Sequence, residues 1–285
     1  MQLTSEHQIF FVGAGAMGEA MIKGLLTAQL LTASQVIVSN RRTPARLQEL
    51  SQRYGVQASK ERASEIARAD MVILAVKPFD LVAALNEIAP FLSPEQLIIS
   101  VAAGVSTATI EHSVGTHVPV IRAMPNTSSF VQASATALCA GRWATEAHLK
   151  LAQHLFSAIG ISLTVEEAQM NAATGLSGTG PAYFYYVVEA LLEAGQSCGL
   201  PEETTRKLLI QTLYGSAKML QETGQPPSEL RRQVTSPNGT TMAGIAVLEQ
   251  GGAQQLFIQA VQKATQRAAE LGQQAEGMPS TMARP

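Results

Sequence analysis

A chain of 285 residues, 46% hydrophobic and 15% charged, carries apolar material for about two domains. Its formal net charge of −2 lacks the basic excess that a nucleic-acid surface needs, so no nucleic-acid partner is expected. No apolar run reaches the roughly 18 residues of a membrane span and residues 1–7 are polar, so neither a membrane anchor nor a signal peptide is expected. Cys139 and Cys198 stand alone in apolar surroundings without C-x-x-C spacing, which reads as two buried, reduced thiols of a cytoplasmic protein and not as a disulfide or a metal site.

The first element is the apolar run Ile9, Phe10, Phe11, Val12, which passes directly into Gly13, Ala14, Gly15, Ala16, Met17 and Gly18. A buried strand followed by G-x-G-x-x-G is how a sheet turns into a helix around a pyrophosphate. Gly13 allows the bend, Gly15 lets the backbone approach the phosphates, and Gly18 lets the helix pack on the sheet with its N-terminal N–H groups facing the anion. The motif alone is weak, but a helical pattern over residues 20–26 and a second strand over 35–39 supply the context it requires.

The chain then alternates. Helices are expected near 44–54, 81–91 and 107–113, and strands over 71–76, 97–101 and 118–124, which reads as a parallel sheet covered on both faces. Ligands on such sheets bind beyond the carboxyl ends of the strands. After the second strand come Asn40, Arg41 and Arg42, where an enzyme for the unphosphorylated cofactor usually carries an acid; the two guanidiniums suit a 2′-phosphate instead, or are solvated loop charges. Ala75, Val76, Lys77 and Pro78 close the next strand, with Pro78 stopping the ladder and Lys77 at the rim, facing cofactor or solvent. Ala102, Ala103 and Gly104 are small where a nicotinamide ring would lie close to backbone. A strand over 135–140, a helix over 145–159 and a strand over 161–165 finish the sheet, and the domain boundary is placed near residue 167.

Beyond Asn171 helical signals dominate. Residues 183–192 are apolar nearly all round, broken mainly by Glu189, and a domain of little over a hundred residues has difficulty covering such a helix, so a second subunit is expected to help. Further helices are expected over 201–222 and 253–271, with the tail 272–285 frayed or disordered. Two polar loops interrupt this half. One spans 174–183 and runs into the apolar helix through Pro181; the other spans 234–244, with glycines and small hydroxyl residues whose donors suit a carboxylate. Either is also readable as an ordinary capped helix start.

Taken together, residues 12–18, 75–78, 122–127, 174–183 and 234–248 resemble pyrroline-5-carboxylate reductase, in the right order and over nearly the whole chain. The resemblance implies an α/β protein: a Rossmann-type parallel-sheet domain over residues 1–167 and an all-helical substrate-binding and dimerisation domain over 168–285. It implies NADPH-dependent reduction of the cyclic imine 1-pyrroline-5-carboxylate to L-proline, with NADH the weaker donor, by a homodimer or a ring of dimers. It also implies that Thr241 hydrogen-bonds the ring nitrogen, that N–H groups around Ser236, Gly239 and Thr240 hold the carboxylate, and that Glu167 lies near the substrate. The chain departs from the family in two places. Asn238 stands where the loop usually has a glycine, and Arg62 stands where relatives often have an asparagine near the adenosine. Asparagine tolerates positive φ better than other non-glycine residues, which favours an unchanged loop shape.

Two rivals are weighed. A 3-hydroxyacid dehydrogenase of the 6-phosphogluconate dehydrogenase type needs a lysine and an asparagine on the first helix of its second domain to take a proton from an alcohol, and residues 177–192 contain neither. A non-catalytic NADP-binding regulator would have no use for the Thr240–Thr241 pair.

Overall fold

The computed structural model describes residues 4, 6–41, 43–115 and 117–276. Eight strands and twelve α-helices follow in chain order: β1 (Ile9–Val12), α1 (Ala16–Thr27), β2 (Val36–Ser39), α2 (Pro44–Tyr54), β3 (Gln57–Ala58), α3 (Arg62–Arg68), β4 (Met71–Leu74), α4 (Pro78–Ile88), β5 (Leu97–Ser100), α5 (Thr107–Val114), β6 (Val120–Met124), β7 (Ser134–Ala140), α6 (Glu146–Phe156), β8 (Gly160–Thr164), α7 (Met170–Ala173), α8 (Gly180–Ser197), α9 (Glu202–Thr223), α10 (Pro227–Gln233), α11 (Thr240–Gln250) and α12 (Ala253–Glu276). The strands form one sheet in the order β3-β2-β1-β4-β5-β6-β7-β8.

Strands β1, β2, β4 and β5 are buried at every position because helices cover both faces. Alternate residues go to opposite sides. Ile9 and Phe11 join Met21, Ile22 and Leu25 of α1 and Leu151, Leu155 and Phe156 of α6 in one core. Phe10 and Val12 join Leu81, Leu85 and Ile88 of α4 and Ile110 of α5 in the other. The spacing of Leu81, Leu85 and Ile88 puts them on one stripe of α4, and each fully buried side chain of this kind contributes about 1.5–3 kcal/mol. In register, Val12 pairs with Ser39 on one side and Leu74 on the other, so the carboxyl ends of β1, β2 and β4 open on the same edge.

The expected all-parallel sheet has one exception: β7 runs antiparallel to β6. Residues 125–133 are too short a connection for a parallel crossover, so the chain turns back through a short 3₁₀ segment, Thr127–Val131. Strand β4 also ends at Leu74, short of the expected Val76, and Pro78 opens α4 as its first residue with Lys77 as N-cap. Strand β3 and helices α3, α7 and α10 are elements that the sequence reading lacked. The expected loop 174–183 is helical, with a π-turn at Thr174–Gly178 between α7 and α8. Helix α12 continues to Glu276, because Ala275 is buried in the second core; the rest of the predicted tail lies outside the described residues. Cys139 is buried as expected, whereas Cys198, just past the end of α8, is exposed.

Two contact units divide the described chain. One runs to Pro181 and takes back the residues from Gln262 onward; the other is Ala182–Val261. The boundary expected at 167/168 falls ahead of this division because the residues after β8 pack on β7. Met170 joins Ala137 and Cys139 in a small core, and the Ser177 hydroxyl donates to the Ala135 carbonyl at 2.8 Å.

Candidate active site

In the first unit the glycine-rich turn is built by two neighbours. The Gly13 N–H donates to the Ser39 carbonyl at 2.9 Å, and the turn presses on the loop after β4. Gly13 has φ +103°, and a Cβ there would lie 2.7 Å from the Ala75 carbonyl oxygen, so only glycine allows both the bend and the approach. Helix α1 starts at Ala16 with Gly15 as N-cap and no side chain capping it, so the first-turn N–H groups of Ala16, Met17 and Gly18 are offered to an anion. The position a Gly15 side chain would take has nothing nearer than 3.9 Å, which leaves a cradle of the kind a pyrophosphate requires. Val12 and Ala14 are buried beneath it.

A residue that the motif does not reveal braces this turn. Arg46 of α2 donates from Nε to the Ala14 carbonyl at 3.1 Å and from Nη2 to Glu19 in the first turn of α1. Glu19 is buried and also accepts from Arg53 and Tyr54, both at 2.9 Å. Burial pushes its carboxyl up, but the hydrogen bonds from Arg46 and Tyr54 and the charge of Arg46 outweigh it and hold the group below its usual value. The acid is therefore kept ionised and neutralised by arginine, without opposing a phosphate at the helix end.

Beyond β2, Asn40 donates from Nδ2 to the Thr43 carbonyl at 3.4 Å. Arg41 is not a bare loop charge, since its Nη1 lies 2.7 Å from Glu87 of α4, whose other oxygen lies 2.8 Å from Nη1 of Arg62. Arg42 lies outside the described residues. Lys77 is exposed at the rim, between Val76 and the start of α4. Ala102 and Gly104 are buried, and the small size of Gly104 has a second cause: a Cβ there would lie 2.6 Å from the Ala268 carbonyl and 2.9 Å from the Gly272 nitrogen of α12. A mostly apolar hollow of about 280 Å³ lies beside Pro78 and Phe79 and is lined by Leu271, Gln274 and Ala275, with no charged group among them.

Glu167 also belongs to the first unit. Its carboxylate pairs with Arg122, which is 2% exposed and otherwise a buried cation, and accepts from the Thr107 amide at 3.1 Å and hydroxyl at 2.8 Å. Removing either partner of such a pair leaves an uncompensated buried charge. Cys139 lies 3.7 Å from the same carboxylate; burial, and then that charge, push its thiol up to about 12. Both oxygens of Glu167 are thus engaged by the sheet and by the start of α5.

In the second unit, the stretch before α11 forms a tight turn. The Gly239 N–H donates to the Ser236 carbonyl at 3.0 Å, Pro237 occupies the first corner and Asn238 the second with φ +57°, the pattern of a type II turn. Asparagine therefore adopts the backbone that glycine would. Gly239 is the N-cap of α11, with no side-chain cap. The hydroxyls of Ser236, Thr240 and Thr241 have no hydrogen-bond partner among the described residues, so three O–H groups lie in or beside a helix start whose first-turn amides no side chain caps.

Comparison with known proteins decides between the readings. A family model described as "Pyrroline-5-carboxylate reductase dimerisation" matches residues 167–271, and one described as "NADP oxidoreductase coenzyme F420-dependent" matches residues 8–104. Pyrroline-5-carboxylate reductase 1 of Bacillus subtilis is 41% identical over 276 residues, 97% of this chain and 93% of that protein. The chain belongs to the pyrroline-5-carboxylate reductase family. A solved family structure from Coxiella burnetii superposes with a TM-score of 0.86 at 38% identity, covering 93% of this chain and 98% of that one. The Plasmodium falciparum pyrroline carboxylate reductase, solved with NADP bound, superposes with a TM-score of 0.85 at 27% identity over 95% of this chain and all of that one. Family membership makes the chain an oxidoreductase with a nicotinamide-dinucleotide fold. No helix among the described residues is long and apolar enough to cross a membrane.

Proposed function

We propose that the chain reduces 1-pyrroline-5-carboxylate to L-proline in the cytoplasm, with NADPH preferred over NADH, as a homodimer joined through its helical half. NADPH, when bound, supplies the hydride that adds to the imine carbon. The protein's task is orientation and charge. Val12–Gly18 and the start of α1 receive the pyrophosphate, Asn40 and Arg41 line the adenosine end, and residues 75–78 and 102–104 flank the nicotinamide end. At the start of α11, amides near Ser236, Gly239 and Thr240 take the substrate carboxylate, while the Thr241 hydroxyl bonds the ring nitrogen as it becomes an amine. An imine protonated in water is already electrophilic, so no strong acid or base is demanded of the protein. Glu167 supports the site by fixing Arg122 and the start of α5.

The observation that carries this reading is the start of α11, where a tight turn leads into a helix end that no side chain caps, with three unengaged hydroxyls in the same short stretch. The experiment is oxidation of NADPH by purified protein with and without added 1-pyrroline-5-carboxylate. Substrate-dependent oxidation with proline as product is expected; no NADPH oxidation with 1-pyrroline-5-carboxylate, together with reduction of NADP+ by a 3-hydroxyacid, would overturn the proposal.

A further inference from the structure

Three elements meet at Glu87. Strand β3 lies beside β2 in parallel, with Val38 opposite Ala58, so the loops leaving their carboxyl ends are neighbours. Arg41 sits in the first of these loops and Arg62 begins α3 after the second, and Glu87 near the end of α4 takes one guanidinium on each oxygen, at 2.7 and 2.8 Å. Two cations face one carboxylate, which leaves a net positive charge beside the place where a ribose 2′-phosphate is expected. Arg62 is committed unevenly. One Nη1 bond ties it to Glu87, while its Nε is buried without a hydrogen-bond partner, the only such side-chain atom among the described residues. An unpaired buried donor is unfavourable, and a guanidinium offers a second edge, Nε with Nη2, that matches two phosphate oxygens. Turning that edge outward gives the donor an acceptor without breaking any second bond.

We propose that Arg62, held beside Arg41 by Glu87, is a specificity-determining residue that grips the 2′-phosphate of the cofactor. The proposal rests on the NADPH preference stated above. It differs from the sequence expectation, which assigned that contact to Arg41 and Arg42 and left Arg62 without a role.

The test uses the full chain and two soluble probes, adenosine 2′,5′-bisphosphate and adenosine 5′-phosphate, with affinities measured by calorimetry on wild type, Arg62→Ala and Arg62→Lys. Loss of a charge-assisted pair should weaken the bisphosphate about tenfold in Arg62→Ala and leave the monophosphate within about twofold. Lysine, which keeps the charge without the fork, should recover part of the loss. A wild type that prefers the bisphosphate and an Arg62→Ala protein that prefers it as strongly would overturn the proposal alone, as would equal weakening of both probes. A wild type that binds the two probes equally would overturn the NADPH preference and this proposal with it.

Discussion

Thr241 has no work to do for its own helix. Gly239 is the N-cap of α11 and no side chain caps it, so the Thr241 oxygen is free for the substrate. A bond that strengthens as basicity develops on the ring nitrogen acts on the transition state, so Thr241→Ala should lower kcat more than it raises KM. A neutral hydrogen bond is worth about 0.5–1.5 kcal/mol net, which predicts a loss of roughly three- to tenfold, most of it recovered in Thr241→Ser. A variant with lowered Tm and undiminished kcat would make the residue structural. Glu19 gives a second prediction at this scale. Its carboxyl lies below the ordinary value when folded, so the stability it contributes is present above the unfolded value and is lost as pH falls through the folded one. The Tm difference between wild type and Glu19→Gln should be widest near neutral pH and close below about pH 4. A difference that stays constant into acid would show that Arg46 and Arg53 do not depend on the charge.

Helix α12 and the loop after β5 touch through two backbones, and no side chain separates them. Gly104 has φ +83° and Gly272 answers it, since a Cβ on Gly272 would lie 2.3 Å from the Gly104 carbonyl oxygen. Gly104→Ala combines a strained backbone with an overlap, and should cost about 1–3 kcal/mol, measured by urea unfolding. An unchanged midpoint would mean that the loop simply moves away. The same contact shows what the sequence could convey. Strands β1, β2, β4 and β5 are continuous apolar runs bounded by turns, and α4 repeats its buried leucines and isoleucine at helical spacing, so all were legible. Helix α3 buries only Ile66 and β3 has two residues, too little for either period to register. The π-turn at Thr174–Gly178 looked like a loop because glycine and hydroxyl residues fill it; it is held by the Thr174 hydroxyl on the Met170 carbonyl at 2.8 Å and the Thr179 hydroxyl on that of Gly175 at 2.7 Å. At the candidate site, the glycine turn and the α11 start were readable as local strings. The Arg41–Glu87–Arg62 bridge and the Arg46 brace join residues far apart in sequence, and no local pattern encodes such a pairing.

On the scale of the whole molecule, the second unit has apolar surface that a single chain does not cover. Phe184, Tyr185 and Tyr186 are 59%, 60% and 74% exposed, on the helix expected to need a second subunit to cover it; Leu208, Tyr214, Val247 and Leu248 are exposed as well. So many large apolar side chains exposed on one unit are the mark of an association surface. Light scattering at decreasing protein concentration should show a dimer or larger assembly wherever activity persists, and a stable, active monomer would refute the homodimer. Uncovered rings on α8 also bear on how the protein reaches its working form. Under the proposed dimer, a chain that has folded its sheet displays Phe184, Tyr185 and Tyr186 until it encounters another, and in that interval productive pairing competes with aggregation. Recovery after dilution from denaturant should therefore be bimolecular at low concentration, its half-time shortening as protein is raised, until clumping takes over and yield falls.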